Sequence, residues 1–102
     1  MAINKKYFKS KPTCKVTFSM DDQPKDSVKA VHVVGEFNNG SISANPMKRL
    51  KKGGFSTNLE LEKGKEYQFR YLLDNTHWDN DPKADKSVPT PFGDSFNSVI
   101  VL

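Results

Sequence analysis

From Phe55 to Leu73 the chain alternates apolar and polar side chains with a single interruption, which commits the segment to paired β-strands. Phe55, Thr57, Leu59 and Leu61 fall on one side, with Ser56, Asn58, Glu60 and Glu62 on the other. Lys63-Gly64-Lys65 breaks the pattern, and Tyr67, Phe69, Tyr71 and Leu73 resume it opposite Gln68, Arg70 and Leu72. Successive side chains of a strand point to opposite faces, so each half has one face to bury and one to leave wet. A lone hairpin cannot bury that face; a second layer must cover it.

The remaining segments supply that layer. Cys14, Val16, Phe18 and Met20 alternate with Lys15, Thr17 and Ser19, giving another half-buried strand. Residues 30–37 are nearly apolar throughout, as a central strand should be, and Met47 to Lys51 reads as a short strand closed by Gly53-Gly54. The last strand is Ser98 to Leu102. Polar turns lie between them, at 21–26 with Pro24, over 38–46, and at Asp74-Asn75-Thr76. His77 to Gly93 carries Pro82, Pro89 and Pro91 and reads as irregular, with room for one helical turn over 81–86. Strands at this spacing predict an all-β, immunoglobulin-like β-sandwich of about seven short antiparallel strands. Residues 13–102 are expected to form this single domain, behind a basic arm at 1–12.

Composition bounds the partners. The 102 residues are 35% hydrophobic and 27% charged, which places the chain with globular proteins rather than disordered ones. The net charge of +4 gathers in Lys5, Lys6, Lys9, Lys11 and Lys15 and in Lys48, Arg49, Lys51 and Lys52. Apart from Tyr7 and Phe8 no aromatics are interleaved there to stack bases, so solvated strand faces and edge protection are expected rather than a nucleic-acid surface. No run approaches the roughly 20 apolar residues of a membrane span, and no apolar stretch follows the basic start as in a secretory signal. Cys14 is the only cysteine, which rules out an internal disulfide and suggests the reducing cytoplasm; a monomer is expected.

Most catalytic arrangements fail on spacing. His32 and His77 lack partners at ligand spacing, so no metal is expected, and Cys14 falls on the core face. Asp79 and Asp81, two apart, would hold carboxylates about 7 Å apart in extended chain. That separation suits an inverting glycosidase, but Asp-Asn-Asp-Pro is also ordinary turn chemistry, and a small sandwich offers no deep cleft. No glycine loop is placed to cradle a phosphate, so no cofactor is expected. Trp78 stands out instead, flanked by His77, Asp79 and Asn80 just after a turn. An exposed indole suits the C–H face of a pyranose ring, whose hydroxyls need amide or charged partners. Arg70, on the strand face opposite Tyr67, Phe69 and Tyr71, and Asn97, just before the last strand, are such groups.

The order of motifs then resembles carbohydrate-binding module family 48. The resemblance rests first on Gly35-Glu36-Phe37-Asn38-Asn39, similar to that family's Gly-Asp-Phe-Asn-x-Trp signature. Pro46-Met47, Gly54-Phe55 and Leu59 to Gly64 follow in the family's order. So do Tyr67 to Asp74, Trp78 to Pro82, and Phe92-Gly93 with Asn97-Ser98-Val99; together they span about Val31 to Leu102. The family includes the early-set modules of isoamylase-type enzymes of glycoside hydrolase family 13. The resemblance implies an early-set sandwich that binds α-1,4-glucan and catalyses nothing, whether alone or beside a glycan-metabolising enzyme. It also implies that Trp78 stacks on glucose, that Arg70 stands for the family's lysine and Asn97 for its asparagine, and that Ser95 makes a neighbouring polar contact. Gly40 stands where the family has its first tryptophan, so the alternative is a sandwich that recruits a protein and has lost glycan binding.

Overall fold

Nine strands run through the residues described by the computed structural model, which are 2–20, 28–42, 44–51, 53–90 and 95–102. The turn read at 21–26 and the Phe92-Gly93 pair lie outside them. The strands are β1 (Ala2–Tyr7), β2 (Thr13–Met20), β3 (Val31–Gly35), β4 (Lys48–Arg49) and β5 (Phe55–Glu62), followed by β6 (Glu66–Leu73), β7 (His77–Asp79), β8 (Lys86–Pro89) and β9 (Phe96–Val101). One antiparallel sheet has the order β1-β2-β5-β4; the other runs β3-β6-β9-β8, with β7 beside the far half of β6. Four strands in that order against β3-β6-β9 is the seven-strand pattern of an immunoglobulin-like sandwich. The expected fold class is therefore present, with β7 and β8 added between its last two strands.

Those two additions lie in the stretch read as irregular. β7 is only three residues long and returns along β6 through a turn in which Asp74 (φ 52°) and Asn75 (φ 59°) are left-handed, a conformation these residues tolerate. β8 is an edge strand, where Pro89 removes no needed ladder donor. The helical turn expected over 81–86 is a single hydrogen-bonded turn, with Ala84 N–H donating to the Asp81 carbonyl at 3.1 Å. Within the segment read as a basic arm, residues 2–7 form β1 and pair with β2 from Ala2↔Ser19 to Tyr7↔Cys14. Its ladder is main chain, and only Ile3 among its inward residues packs on the core.

The core lies between the sheets and follows the alternation. Cys14, Val16, Phe18 and Met20 of β2 are fully buried, and Phe69 and Tyr71 of β6 meet them. Phe18 packs edge-on against Phe69 and Tyr71, with ring centroids 5.1 and 6.4 Å away. Arg49 is exposed at the β4 edge, as expected, and still makes specific contacts there. Its guanidinium lies 5.4 Å from the Phe55 ring centroid and donates to the Val28 carbonyl at 2.7 Å. The opposite face of the second sheet is not bare either. Val34, Leu72 and Val99 are buried there, apart from the core cluster.

Gly35, where β3 ends, has an extended φ of −164°, so conformation does not require glycine there. Space does. A Cβ would sit 2.6 Å from the Gln68 carbonyl oxygen, 2.8 Å from Phe69 Cβ and 2.9 Å from the Phe37 ring. Gly35→Ala should therefore cost about 2 kcal/mol or more by overpacking, read as a lower urea midpoint; an unchanged midpoint would refute this.

Two carboxylates tie distant strands. Asp74 accepts the N–H groups of Ala30 at 2.9 Å and Lys29 at 2.8 Å, and these bonds hold its carboxyl below the ordinary value against a smaller burial effect. Asp85 accepts from Lys5 Nζ of the opposite sheet at 2.6 Å and from Val101 N–H at 2.7 Å. Burial pushes the Asp85 carboxyl up, but the Lys5 hydrogen bond, the Val101 N–H and the Lys5 charge together outweigh it. A carboxylate with a lower pKa in the folded state adds stability above its unfolded value of about 4, and loses it as pH falls through the folded value. Urea unfolding at stepwise lower pH should show this loss below about pH 4. The Asp74→Asn, Asp85→Asn double variant should flatten that acid limb; the same slope in both proteins would place its origin elsewhere.

Candidate functional site

Strand alternation decides what the outer face of the second sheet displays. Phe69, Tyr71 and Leu73 point into the core, so Gln68, Arg70 and Leu72 point out. Register then aligns the neighbours: Val34 lies across from Arg70, Trp78 and His32 flank Leu72, and Val99 lies across from Gln68. Asn97, two residues before Val99, shares this face. The buried Val34, Leu72 and Val99 make an apolar floor with polar and aromatic groups above it.

An open cleft of about 510 Å³ lies on this face. Trp78, Arg70, Gln68 and Asn97 line it, and Glu36 with Asn39 and Gly40 forms one wall. Trp78 is 47% exposed, as its polar neighbours suggest, and the Arg70 guanidinium lies 4.9 Å from its ring centroid. That cation–π contact covers part of the ring and steadies it without burying it. Asn97 Nδ2 donates to Gln68 Oε1 at 3.0 Å. Gly40 is left-handed (φ 73°), and no atom lies within 4 Å of the position a Cβ would take. Asn38 holds this wall by donating to the Val33 carbonyl at 2.9 Å and to Asn45 Oδ1 at 2.7 Å, while accepting the Gly35 N–H at 3.1 Å.

Three of the four residues singled out in the sequence thus meet at one cleft: Trp78, Arg70 and Asn97. Ser95 does not line it. Its Oγ lies 3.0 Å from Thr90 Oγ1, and its carbonyl accepts the Thr90 N–H at 2.9 Å, which closes the β8–β9 connection. Sequence reasoning passed over Gln68 and Glu36. Gln68 was legible by alternation, two residues from Arg70 on the same face; Glu36 lies in a 3-10 turn, Glu36–Asn38, that the apolar run into Phe37 concealed.

Asp79 and Asp81 do not form a facing pair on the cleft. Asp79 Oδ1 accepts the N–H of Asn80 at 2.9 Å, ordinary turn chemistry. Asp81 is buried, accepting from the Tyr71 hydroxyl at 2.7 Å and from Lys83 N–H at 2.8 Å. Burial first, then the hydrogen bond and charge of Asp81, drive the Tyr71 phenol pKa far upward. The Asp81 N–H donates to Ser98 Oγ at 2.9 Å, and Ser98 Oγ donates to Asn80 Oδ1 at 2.8 Å. Asn80 Nδ2 in turn donates to the Phe96 carbonyl at 2.8 Å. This chain of bonds fastens the link after Trp78 to β9. Among the described residues no three His, Cys, Asp or Glu side chains gather to hold a metal ion, and no helix is long and apolar enough to cross a membrane. Compared with models of known protein families and with curated proteins, the chain matches none.

Ser98→Ala removes both the acceptor of the Asp81 N–H and the donor to Asn80, inside the protein. It should cost about 2 kcal/mol and loosen the Trp78 segment, seen as a lower urea midpoint with greater quencher access to the indole. A wild-type midpoint and quenching would show that the link is held elsewhere.

Proposed function

We propose that this chain is a non-catalytic module that binds α-1,4-glucan, such as glycogen, starch or maltooligosaccharides, through Trp78. The observation that carries this reading is the convergence of Trp78, Arg70 and Asn97 on one open cleft, which Val34 also lines. A pyranose offers a C–H face to an indole and a rim of hydroxyls to donors and acceptors, and the cleft pairs these chemistries at matching positions. The Arg70 guanidinium lies 4.9 Å from the indole centroid and Trp78 stays 47% exposed, so a sugar stacked on the exposed part of the ring would have guanidinium donors close by. The amides of Gln68 and Asn97 satisfy hydroxyls without demanding charge, which suits a neutral ligand. Motif order supports the same reading, through its resemblance to carbohydrate-binding module family 48. A monomer acting in the cytoplasm, beside a glycan-metabolising enzyme, fits it.

The site has one stacking ring. Gly40 occupies the wall where the resemblance calls for a second, and the space beside it is open. A missing platform removes about 1 kcal/mol, several-fold in affinity, from a class of interaction that is weak because hydroxyl desolvation is only just repaid. The second reading, a sandwich that recruits a protein and no longer binds glycan, draws on this same glycine.

Titrating isotope-labelled protein with maltoheptaose separates the two. The Trp78 indole and the signals of Arg70 and Asn97 should shift together, with a dissociation constant of about a millimolar, and Trp78→Ala should not respond. Silence of the wild-type protein at millimolar sugar would end the glucan reading in favour of a protein partner.

A further inference from the structure

Gln68 is held more tightly than a surface glutamine. Its main-chain N–H donates to Glu36 Oε1 at 2.7 Å, continuing the ladder just past the end of β3 at Gly35. Its side-chain Oε1 accepts from Asn97 Nδ2 at 3.0 Å. That one bond sets the polarity of both amides. Gln68 Nε2, which can only donate, and Asn97 Oδ1, which can only accept, have no protein partner among the described residues, while Gln68 Oε1 and Asn97 Nδ2 each keep one further position beside the bond between them. Both residues line the cleft occupied by Trp78 and Arg70.

We infer that Gln68 and Asn97 act as an amide dyad that reads two neighbouring hydroxyls of the bound glycan. One hydroxyl accepts from Gln68 Nε2 and the other donates to Asn97 Oδ1. The inference rests on the glucan-binding reading and adds Gln68 to it as a residue that determines specificity. Because a hydroxyl is both donor and acceptor, a vicinal diol satisfies both atoms at once. A sugar lacking either hydroxyl leaves one amide atom desolvated and unpaired, and sites built on hydrogen bonds discriminate most strongly in this way. Trp78 alone would accept any pyranose with an apolar face; the dyad asks for two adjacent hydroxyls.

The test compares wild type, Gln68→Met, Asn97→Ala and the double variant, titrated with maltoheptaose and followed by the Trp78 indole signal. Thermal midpoints are measured beside them. Gln68→Met keeps the length of the side chain and removes both polar atoms. Each single variant should bind about fivefold to tenfold more weakly, and the double variant hardly more weakly than either, since the two amides work as a unit. The wild-type protein alone supplies a second measurement, in which 2-deoxy or 3-deoxy maltosides should bind more weakly than maltoside by a similar factor. Sugar binding unchanged in Gln68→Met, or deoxy maltosides that bind as tightly as maltoside, would overturn the dyad and leave the glucan reading intact. A wild-type protein with no response to sugar would overturn both.

Discussion

The edge-on packing of Phe18 against Phe69 and Tyr71 fixes strand β6, and through β6 it fixes nearly everything else. A strand has two faces and a period of two, so seating Phe69 and Tyr71 inward obliges Gln68, Arg70 and Leu72 to face outward. A slip of one residue would exchange the core with the cleft. Because β6 lies between β3 on one side and β9 and β7 on the other, its register also sets where Val34, Asn97 and Trp78 come to rest. The aromatic cluster thus positions a polar site on the other face of the strand.

The two sides of β6 are secured by different physics. The inner face is held by apolar burial and close packing, which tolerates little change of volume. Trp78 sits on β7, a strand too short to be held by its own ladder. The turn before it is set by the left-handed Asp74 and Asn75, and the link after it by Asn80, Asp81, Ser98 and Tyr71. A buried polar chain of this kind is directional, so it specifies one arrangement where an apolar contact would allow several. The exposed ring therefore has a rigid mount.

Legibility in the sequence followed side-chain periodicity. β2, β5 and β6 could be read directly because one face of each is buried and the other is wet, and that contrast is written in the residues. β1 was hidden because its ladder is main chain and Lys5 occupies an inward position, answered by Asp85 just before β8 and by the Val101 carbonyl of β9. β7 and β8 were hidden because edge strands need little apolar content and tolerate proline. At the site, Trp78, Arg70 and Asn97 stood out as residue types suited to a sugar. Ser95 was placed by likeness alone, and its hydroxyl lies against the Thr90 hydroxyl, away from the cleft lining. Pairings such as Gln68 with Asn97 depend on tertiary register, which no local pattern encodes.

Charge shows how the cleft differs from the rest of the surface. Several basic side chains are already engaged: Lys5 with Asp85, Lys11 with Glu60, Lys65 with Glu62 and Lys86 with Glu66, while Arg49 packs on Phe55. Exposed pairs of this sort contribute little stability, but they offset the local field that a net charge of +4 would otherwise create. In the cleft, the Arg70 guanidinium rests on an indole and one oxygen of the Glu36 carboxylate accepts a main-chain N–H. Between these two opposite charges lie amides, part of a ring face and open space. One charge of each sign beside neutral amides gives no net preference for a cation or an anion, which is compatible with the neutral ligand proposed above.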